Sequence, residues 1–538
     1  VAAVFGVLAA GGCYVPIGIH QPQARRNKIH STAGIRLVLS NHQQINQSEL
    51  TDQGLEPVSL LDVAATSCYA PLSEPVALAC QQPAYIIFTS GSTGEPKGVE
   101  MCHRATANTI EHLNLKYGVN ESSCALALSA LDFDLSVYDL FGLLGIGGRL
   151  VLLQEEQRRD AQQWLKLIRR HGVTLWNSVP VLLDMLLVVA EQDTQQLPFE
   201  QVMLSGDWIG LDLPVRLSAK SSARFIAMGG ATEAAIWSNH YEVTGPMPAD
   251  WSSIPYGKPL ANQRYRVVDV QGRDCPDWVA GELWIGGHGL ATGYRGDAQL
   301  TQERFVEVAG ERWYRTGDRG RYWPDGNLEF LGRLDHQVKV RGHRIELGEI
   351  EAALSTVAGV SRAVVVTVGE SLSLAAALIP EHNAQLDIEQ IRLRLQALLP
   401  DYMVPNTFSI EQSLPLSANG KVDRKLLSQE LSYKLTADFE IPKGQLEEQI
   451  ASLWCETLNC QKISRNADFF MLGGDSLVAT QIVQLLQKRR ISPGTVPLSM
   501  IFTSPTIATM AKQIQSQWQK LGLDSSDTTE SLFEEGTI

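Results

Sequence analysis

Short β-branched runs alternate with helical patterns from residue 1 to about residue 334. Arg36 to Ser40, Tyr85 to Phe88, Cys124 to Leu128 and Arg149 to Leu153 read as strands, and Asp160 to His171 as an amphipathic helix between later strands. At the N-terminus, Val1 to Leu8 reads as a helix stopped by Gly11-Gly12 and followed by a strand Tyr14 to Ile17. This alternation predicts an α/β layer architecture. From about residue 336 the pattern becomes a smaller α+β unit, with strands Ala363 to Thr367 and Ala375 to Ile379 and a helix through Ile388 to Leu399, closed by Pro400 and Pro405. Beyond Lys443 only helical spacing remains. Leu477, Val478, Ile482, Val483, Leu485 and Leu486 line one helix that starts near Ser476 and ends in Lys488-Arg489-Arg490 before Pro493.

The expected organisation is a large subdomain over 1–334, a small α+β subdomain over 335–433, a linker over 434–443, an all-α module over 444–518, and an acidic disordered tail or linker over 519–538. The chain has 538 residues, with 59 Asp and Glu against 45 Lys and Arg, a formal charge of −14. Such a balance argues against general binding of nucleic acid or an anionic membrane, so any anion must be held locally. The eight cysteines show no CxxC pair or metal-ligand spacing, which fits reduced thiols in a cytoplasmic protein. No run reaches the length of a membrane span. A chain that starts with Val1 reads as a piece of something longer.

The densest chemistry lies in Thr89-Ser90-Gly91-Ser92-Thr93-Gly94-Glu95-Pro96-Lys97-Gly98, directly after the apolar run Tyr85 to Phe88. Glycines let the backbone approach an anion, while four hydroxyls and Lys97 add donors and positive charge. Pro96 before Lys97 and Gly98 after it exclude a Walker A loop. The stretch resembles the phosphate-binding loop of the adenylate-forming enzymes, the family of acyl-CoA ligases, luciferases and peptide-synthetase adenylation domains. Further segments resemble that family's signatures in the family's order: Ala10 to Ile17, Phe133 to Tyr138, Gly229-Gly230-Ala231-Thr232-Glu233, Gly281 to Ile285, Tyr314 to Asp318, Gly332-Arg333-Leu334-Asp335 and Ala418 to Lys425. The resemblance covers residues 1 to about 430.

That resemblance implies roles. Thr89, Ser90, Gly91, Ser92, Thr93, Gly94 and Lys97 would hold the β- and γ-phosphates of ATP, with Gly229, Gly230 and Thr232 beside the nucleotide. Glu233 would hold Mg2+, Asp318 the ribose hydroxyls with help from Arg333, and Lys421 the reacting carboxylate and α-phosphate. Asp335 would be the hinge about which the small subdomain turns. Cationic and metal stabilisation is what attack by a carboxylate on a phosphate needs. Gly229 departs from the family's usual aromatic, so the platform for adenine falls to another side chain.

Asp134 matches the position that pairs with the substrate ammonium in amino-acid-activating members. Asp134, Leu135, Tyr138, Asn177, Met203, Ser205, Met228, Ile236 and Trp237, closed by Lys421, resemble the pocket of cysteine-activating domains. Packing alone also admits serine, alanine or threonine; the two methionines suit a soft thiol. Leu472-Gly473-Gly474-Asp475-Ser476-Leu477 resembles the 4'-phosphopantetheine attachment motif of peptidyl carrier proteins, four-helix domains, with Ser476 as the attachment site. The implied whole is an adenylation and carrier fragment of a nonribosomal peptide synthetase using ATP, Mg2+ and 4'-phosphopantetheine, of a kind that serves siderophore or thiazoline peptide biosynthesis. Its implied partners are the amino-acid substrate, neighbouring condensation or cyclisation domains and a phosphopantetheinyl transferase, with no nucleic acid and no membrane. An acyl- or aryl-CoA ligase and a degenerate scaffold remain the alternatives.

Overall fold

The computed structural model describes the chain except residues 41–49, 51–53, 60–71, 92–94, 159, 249–250, 252, 336, 341, 370–372, 382–383, 416–421, 435–439, 459, 461, 468, 470–471, 473, 475, 493–495, 497–499, 502–503 and 521–538. Ser92, Thr93, Gly94 and Lys421 therefore lie outside the described residues, as does most of the acidic tail.

A seven-stranded sheet runs through the large unit in the order Lys258–Pro259, Asn239–Val243, Arg224–Gly229, Gln201–Leu204, Leu175–Ser178, Cys124–Leu126, Arg149–Val151. The five strands from Arg224–Gly229 to Arg149–Val151 are parallel, and Asn239–Val243 pairs antiparallel with Arg224–Gly229 on one side and Lys258–Pro259 on the other. Parallel strands need helical crossovers covering both faces, and the sequence supplies them. The helix Ala161–His171 is capped by Asp160, whose carboxylate accepts from the backbone of Gln162 and Gln163, and it buries Trp164, Leu165 and Ile168.

Alternation along these strands divides the core in two. Trp176, Val202, Leu204 and Ala227 pack with the helices on one face. Met203, Ile226 and Met228 face the other side, among Leu135, Tyr138, Ile236 and Trp237. Residues that the resemblance scattered over a hundred positions thus share one surface.

Pro83–Thr89 and Lys97–Cys102 pair antiparallel, with Thr89 opposite Lys97, so the two ends of the expected phosphate loop are held side by side. The strand expected over Tyr14 to Ile17 does not form; only a single bridge joins Tyr14 to Tyr85. Tyr14 exchanges backbone hydrogen bonds with Ala84 and Ile86, but Pro16 has no N–H with which to extend the ladder.

A short hairpin, Gln337–Val340 with His343–Glu346, leads into the small unit. There Val360–Val368, Ser373–Pro380 and Thr407–Ile410 form a three-stranded sheet packed on the helices Leu347–Ser355 and Arg424–Lys434. The C-terminal module packs the helices Gly444–Thr457, Ser476–Lys488 and Ile507–Lys520 around Trp454, Phe469, Ile482, Leu486, Met510 and Ile514. Arg465 clamps Glu447 with two hydrogen bonds of 2.6 and 2.9 Å at its edge. Among the described residues, no helix is long and apolar enough to cross a membrane.

Candidate active site

The phosphate hairpin and the small unit meet. A Cβ on Gly91 would run into the carbonyl oxygen of Glu95, so only glycine permits this turn. Lys97 Nζ reaches inward, 3.6 Å from Glu233 Oε1 and 3.9 Å from Glu346 Oε1. Burial, reinforced by repulsion from Arg344, pulls the Lys97 ammonium down to about 8.

Glu233 is wholly enclosed. Its carboxylate accepts from Arg344 Nη1 at 2.9 Å and from the Tyr294 hydroxyl at 2.8 Å. Burial alone would push this carboxyl up, but Arg344, Lys97 and the Tyr294 hydrogen bond hold it well below the usual range. The residues therefore fit Mg2+ only in part: Glu233 is a charged oxygen donor, and the described residues hold no group of three His, Cys, Asp or Glu side chains that could hold a metal. One carboxylate together with nucleotide oxygens suffices for Mg2+, which commonly binds that way. In the observed arrangement the guanidinium of Arg344 neutralises Glu233 instead.

Three more contacts pin the small unit here. Ser90 donates to the Arg344 carbonyl at 2.7 Å, and the Gly91 N–H donates to Glu349 Oε2 at 3.0 Å. Arg25, from the helix Gln23–Ala33, forms a buried ion pair with Glu349. Glu349 and Arg25 are 1% and 4% exposed, so separating them would leave charge stranded in the interior.

Asp318 and Arg333 lie opposite each other in neighbouring strands, with Arg333 Nη1 2.6 Å from Asp318 Oδ1. The same guanidinium bonds both oxygens of Asp335 at 2.9 and 2.5 Å. The expected ribose residues and the expected hinge are thus one network. Beside Gly229, the space an aromatic side chain would take is bordered by Tyr256, whose ring edge lies 3.2 Å from where a Cβ would stand. Tyr256 stacks on Phe330 with centroids 5.0 Å apart, and Trp208 packs against Phe330 in turn. The cavity they border also reaches Asp207, Met228 and Lys339.

The expected side-chain pocket assembles from four loops and strands. Asp134 is 6% exposed and accepts from the Thr232 hydroxyl at 2.7 Å. Burial raises its carboxyl to about 6 against the Thr232 hydrogen bond. Tyr138 opens a π-helical turn, Tyr138–Gly142, and lies edge-on to Trp237 with centroids 5.1 Å apart. Its hydroxyl donates to Asn114 at 2.9 Å, while Trp237 Nε1 donates to Ser205 at 2.8 Å. Met203 and Ile236 are buried, and Asn177 sits beside Met203 in register on adjacent strands. Gly230 passes so close to Trp237 and Ser238 that any Cβ would stand 2.8 Å from their backbone. Ala235 and Ile236 have φ of 56° and 72°, costly for a β-branched residue. Backbone strain of this kind persists only where the surroundings impose it.

Ser476 begins the helix Ser476–Lys488, as expected. Further along that helix, Gln484 hydrogen-bonds Gln192 of the large unit. The helix packs against Pro180–Ala190, which places the module against the large unit.

Sequence reading missed Arg344, Glu346, Glu349, Arg25, Tyr294, Tyr256 and Asp139. Some left a trace: Arg344 and Glu346 alternate with apolar Ile345 just beyond the hinge, and Asp139 is an acid inside the apolar run Val137 to Phe141. Charge in an apolar segment signals a buried partner.

Residues 1–295 match the AMP-binding enzyme family, residues 349–421 the AMP-binding enzyme C-terminal domain, and residues 448–514 the phosphopantetheine attachment site. The chain is 47% identical over 524 residues to an anguibactin system regulator of Vibrio anguillarum, across 95% of this chain and 49% of that protein. It is 55% identical over 383 residues to pyochelin synthetase PchE of Pseudomonas aeruginosa, across 71% of this chain and 26% of that one. The chain therefore spans about half the length, or less, of these relatives. A solved structure, holo-PA1221, an NRPS protein containing adenylation and PCP domains bound to a vinylsulfonamide inhibitor, is similar at 28% identity with a TM-score of 0.77, covering 96% of this chain and 85% of that one. The chain belongs to the AMP-binding enzyme family of adenylate-forming ligases and joins its large and small subdomains to a phosphopantetheine carrier domain, the adenylation and carrier architecture of nonribosomal peptide synthetases.

Proposed function

We propose that this chain activates L-cysteine with ATP as cysteinyl-AMP, releasing pyrophosphate, and passes the cysteinyl group to the carrier domain at Ser476. The observation that carries the reading is a buried carboxylate, Asp134, directly before Leu135, which packs in one cluster with Tyr138, Met203, Met228, Ile236 and Trp237, with the charged group of Lys97, Glu233 and Arg344 nearby. Asp134 pairs with the substrate ammonium and orients the carboxylate toward the phosphates. Methionine sulfur packs well around a thiol. The pyochelin synthetase relative, 55% identical over 383 residues, supports a synthetase role.

The charges at the phosphate end imply two working arrangements. In the observed one, Arg344 and Glu346 close on Glu233 and Lys97. We assign it to the second reaction, after pyrophosphate has gone. For the first, Arg344 withdraws by rotation at Asp335, freeing Glu233 as a ligand, and Lys421 takes its place against the substrate carboxylate and α-phosphate. Bound magnesium would supply charge neutralisation for the phosphates there. Tyr256 offers the aromatic surface for adenine that Gly229 lacks. The phosphopantetheine arm on Ser476 would supply the thiol that accepts the acyl group.

Intact mass spectrometry tests the assignment. After treatment with a phosphopantetheinyl transferase, then ATP, Mg2+ and cysteine, the chain gains first the arm and then a cysteinyl group. Ser476→Ala abolishes both gains. An arm attached in Ser476→Ala, or holo protein that never takes up an amino acid, contradicts the proposal.

A further inference from the structure

Asn177 holds its side-chain amide in one orientation. Its Nδ2 donates to Asp139 Oδ1 at 2.8 Å and to the Leu135 carbonyl at 3.3 Å. A backbone carbonyl only accepts, so the end of the amide facing Leu135 is the nitrogen, and the shorter bond to Asp139 is the stronger of the two that hold it there. With both hydrogens committed, Asn177 Oδ1 is left without a partner among the described residues, although Asn177 is 1% exposed. A buried carbonyl oxygen with no donor is costly, and such groups in folded proteins call for an explanation. Asn177 stands on the pocket side of the sheet, in register with Met203, and Asp139 follows directly after the pocket residue Tyr138 in the π-helical turn.

We infer that Asn177 Oδ1 accepts the side-chain hydrogen of the substrate, the S–H of cysteine, and that Asp139 is the positioning residue that keeps this oxygen turned toward the pocket. The inference rests on the proposed cysteine reading and deepens it. Asp139 is itself 2% exposed, and its second oxygen has no partner among the described residues, so it does not serve a surface charge. Burial lifts its carboxyl to about 7, against the Asn177 hydrogen bond. Protonated on Oδ2 or ionised, it still offers Oδ1 as an acceptor, so the amide stays oriented. Among the described residues, the hydrogen bonds of this pair run to neither Lys97, Glu233, Arg344 nor Asp134. Its effect falls on which side chain is chosen and leaves the common chemistry alone.

The test compares cysteine with 2-aminobutyrate, which puts a methyl group where cysteine has its thiol. The readout is the ratio of kcat/KM in pyrophosphate exchange. The wild-type chain favours cysteine by about tenfold or more, because a site with a buried acceptor rejects an analogue that lacks the donor. Asn177→Leu removes the acceptor and brings the ratio to about one or below. Asp139→Leu frees the amide to turn and lowers the ratio by about fivefold while 2-aminobutyrate turnover is retained, which also reports that the protein is folded. The double variant matches Asn177→Leu alone, since Asp139 acts only through Asn177.

A ratio unchanged in Asp139→Leu overturns the positioning role. A ratio unchanged in Asn177→Leu overturns the inference as a whole, even where cysteine is the wild-type substrate. If the wild-type chain activates serine and not cysteine, the substrate reading fails, and the inference is decided by the serine to alanine ratio in the same variants. Should the preferred amino acid carry no side-chain donor, both fall.

Discussion

The proposed phosphate end of the site draws Lys97, Glu233, Arg344 and Glu346 from separate segments of two units, whereas the proposed side-chain end is built of Leu135, Met203, Met228, Ile236 and Trp237 of the large unit. One end is a set of charges whose partners would change on the proposed rotation at Asp335. The other is a fixed apolar frame with a few oriented polar groups. The phosphate end should therefore set the rate for every acid alike, and the side-chain end should decide which acid is accepted.

The largest effect belongs to the phosphate end. Lys97→Ala should lower pyrophosphate exchange by about 10² to 10³, the cost of losing one preorganised stabilising group, with the ranking of amino acids unchanged. A changed ranking, measured with several amino acids, would break the division between the two ends. Asp134→Ala should cost about 10² in kcat/KM for amino acids, in line with removal of a buried charge partner. It should cost nothing with 3-mercaptopropionate, which lacks the ammonium. An equal loss with that acid would make Asp134 a structural residue.

The two ends should also respond to opposite pH limits. Asp134 is raised to about 6, so it is protonated, and loses its hold on an ammonium, as pH falls through that value. Lys97 is lowered to about 8, so it loses its charge as pH rises through that value. Exchange should be highest between the two and fall about tenfold per pH unit outside them. Lys97→Arg, which stays charged, should remove the alkaline limb specific to Lys97. An alkaline limb identical in wild type and Lys97→Arg would assign it to the substrate. Smallest is Tyr256→Ala: loss of base stacking should raise the KM for ATP by about fivefold and leave the KM for the amino acid unchanged. An unchanged KM for ATP would leave adenine to another surface.

Legibility in the sequence followed the same division. The proposed phosphate loop stands out in the sequence because its donors are contiguous between Thr89 and Gly98, and the parallel sheet was readable because its strands alternate with an amphipathic helix such as Ala161–His171. Asp318, Arg333 and Asp335 were legible as separate motifs, but their union through one guanidinium was not. Arg344 and Glu349 escaped because their partners Glu233 and Arg25 lie 111 and 324 positions away, and no local pattern encodes such a pairing. Asp139 escaped because a family pocket read residue by residue does not include what stands behind it. The strand expected at Tyr14 failed on backbone chemistry, since Pro16 cannot donate. Lys421, the residue on which the first reaction is proposed to turn, lies outside the described residues.

Amino-acid-dependent ATP/pyrophosphate exchange across the twenty amino acids tests the central claim most directly. The account predicts the highest kcat/KM with L-cysteine and little exchange with alanine, threonine or large side chains. Exchange with alanine or serine equal to that with cysteine would contradict it.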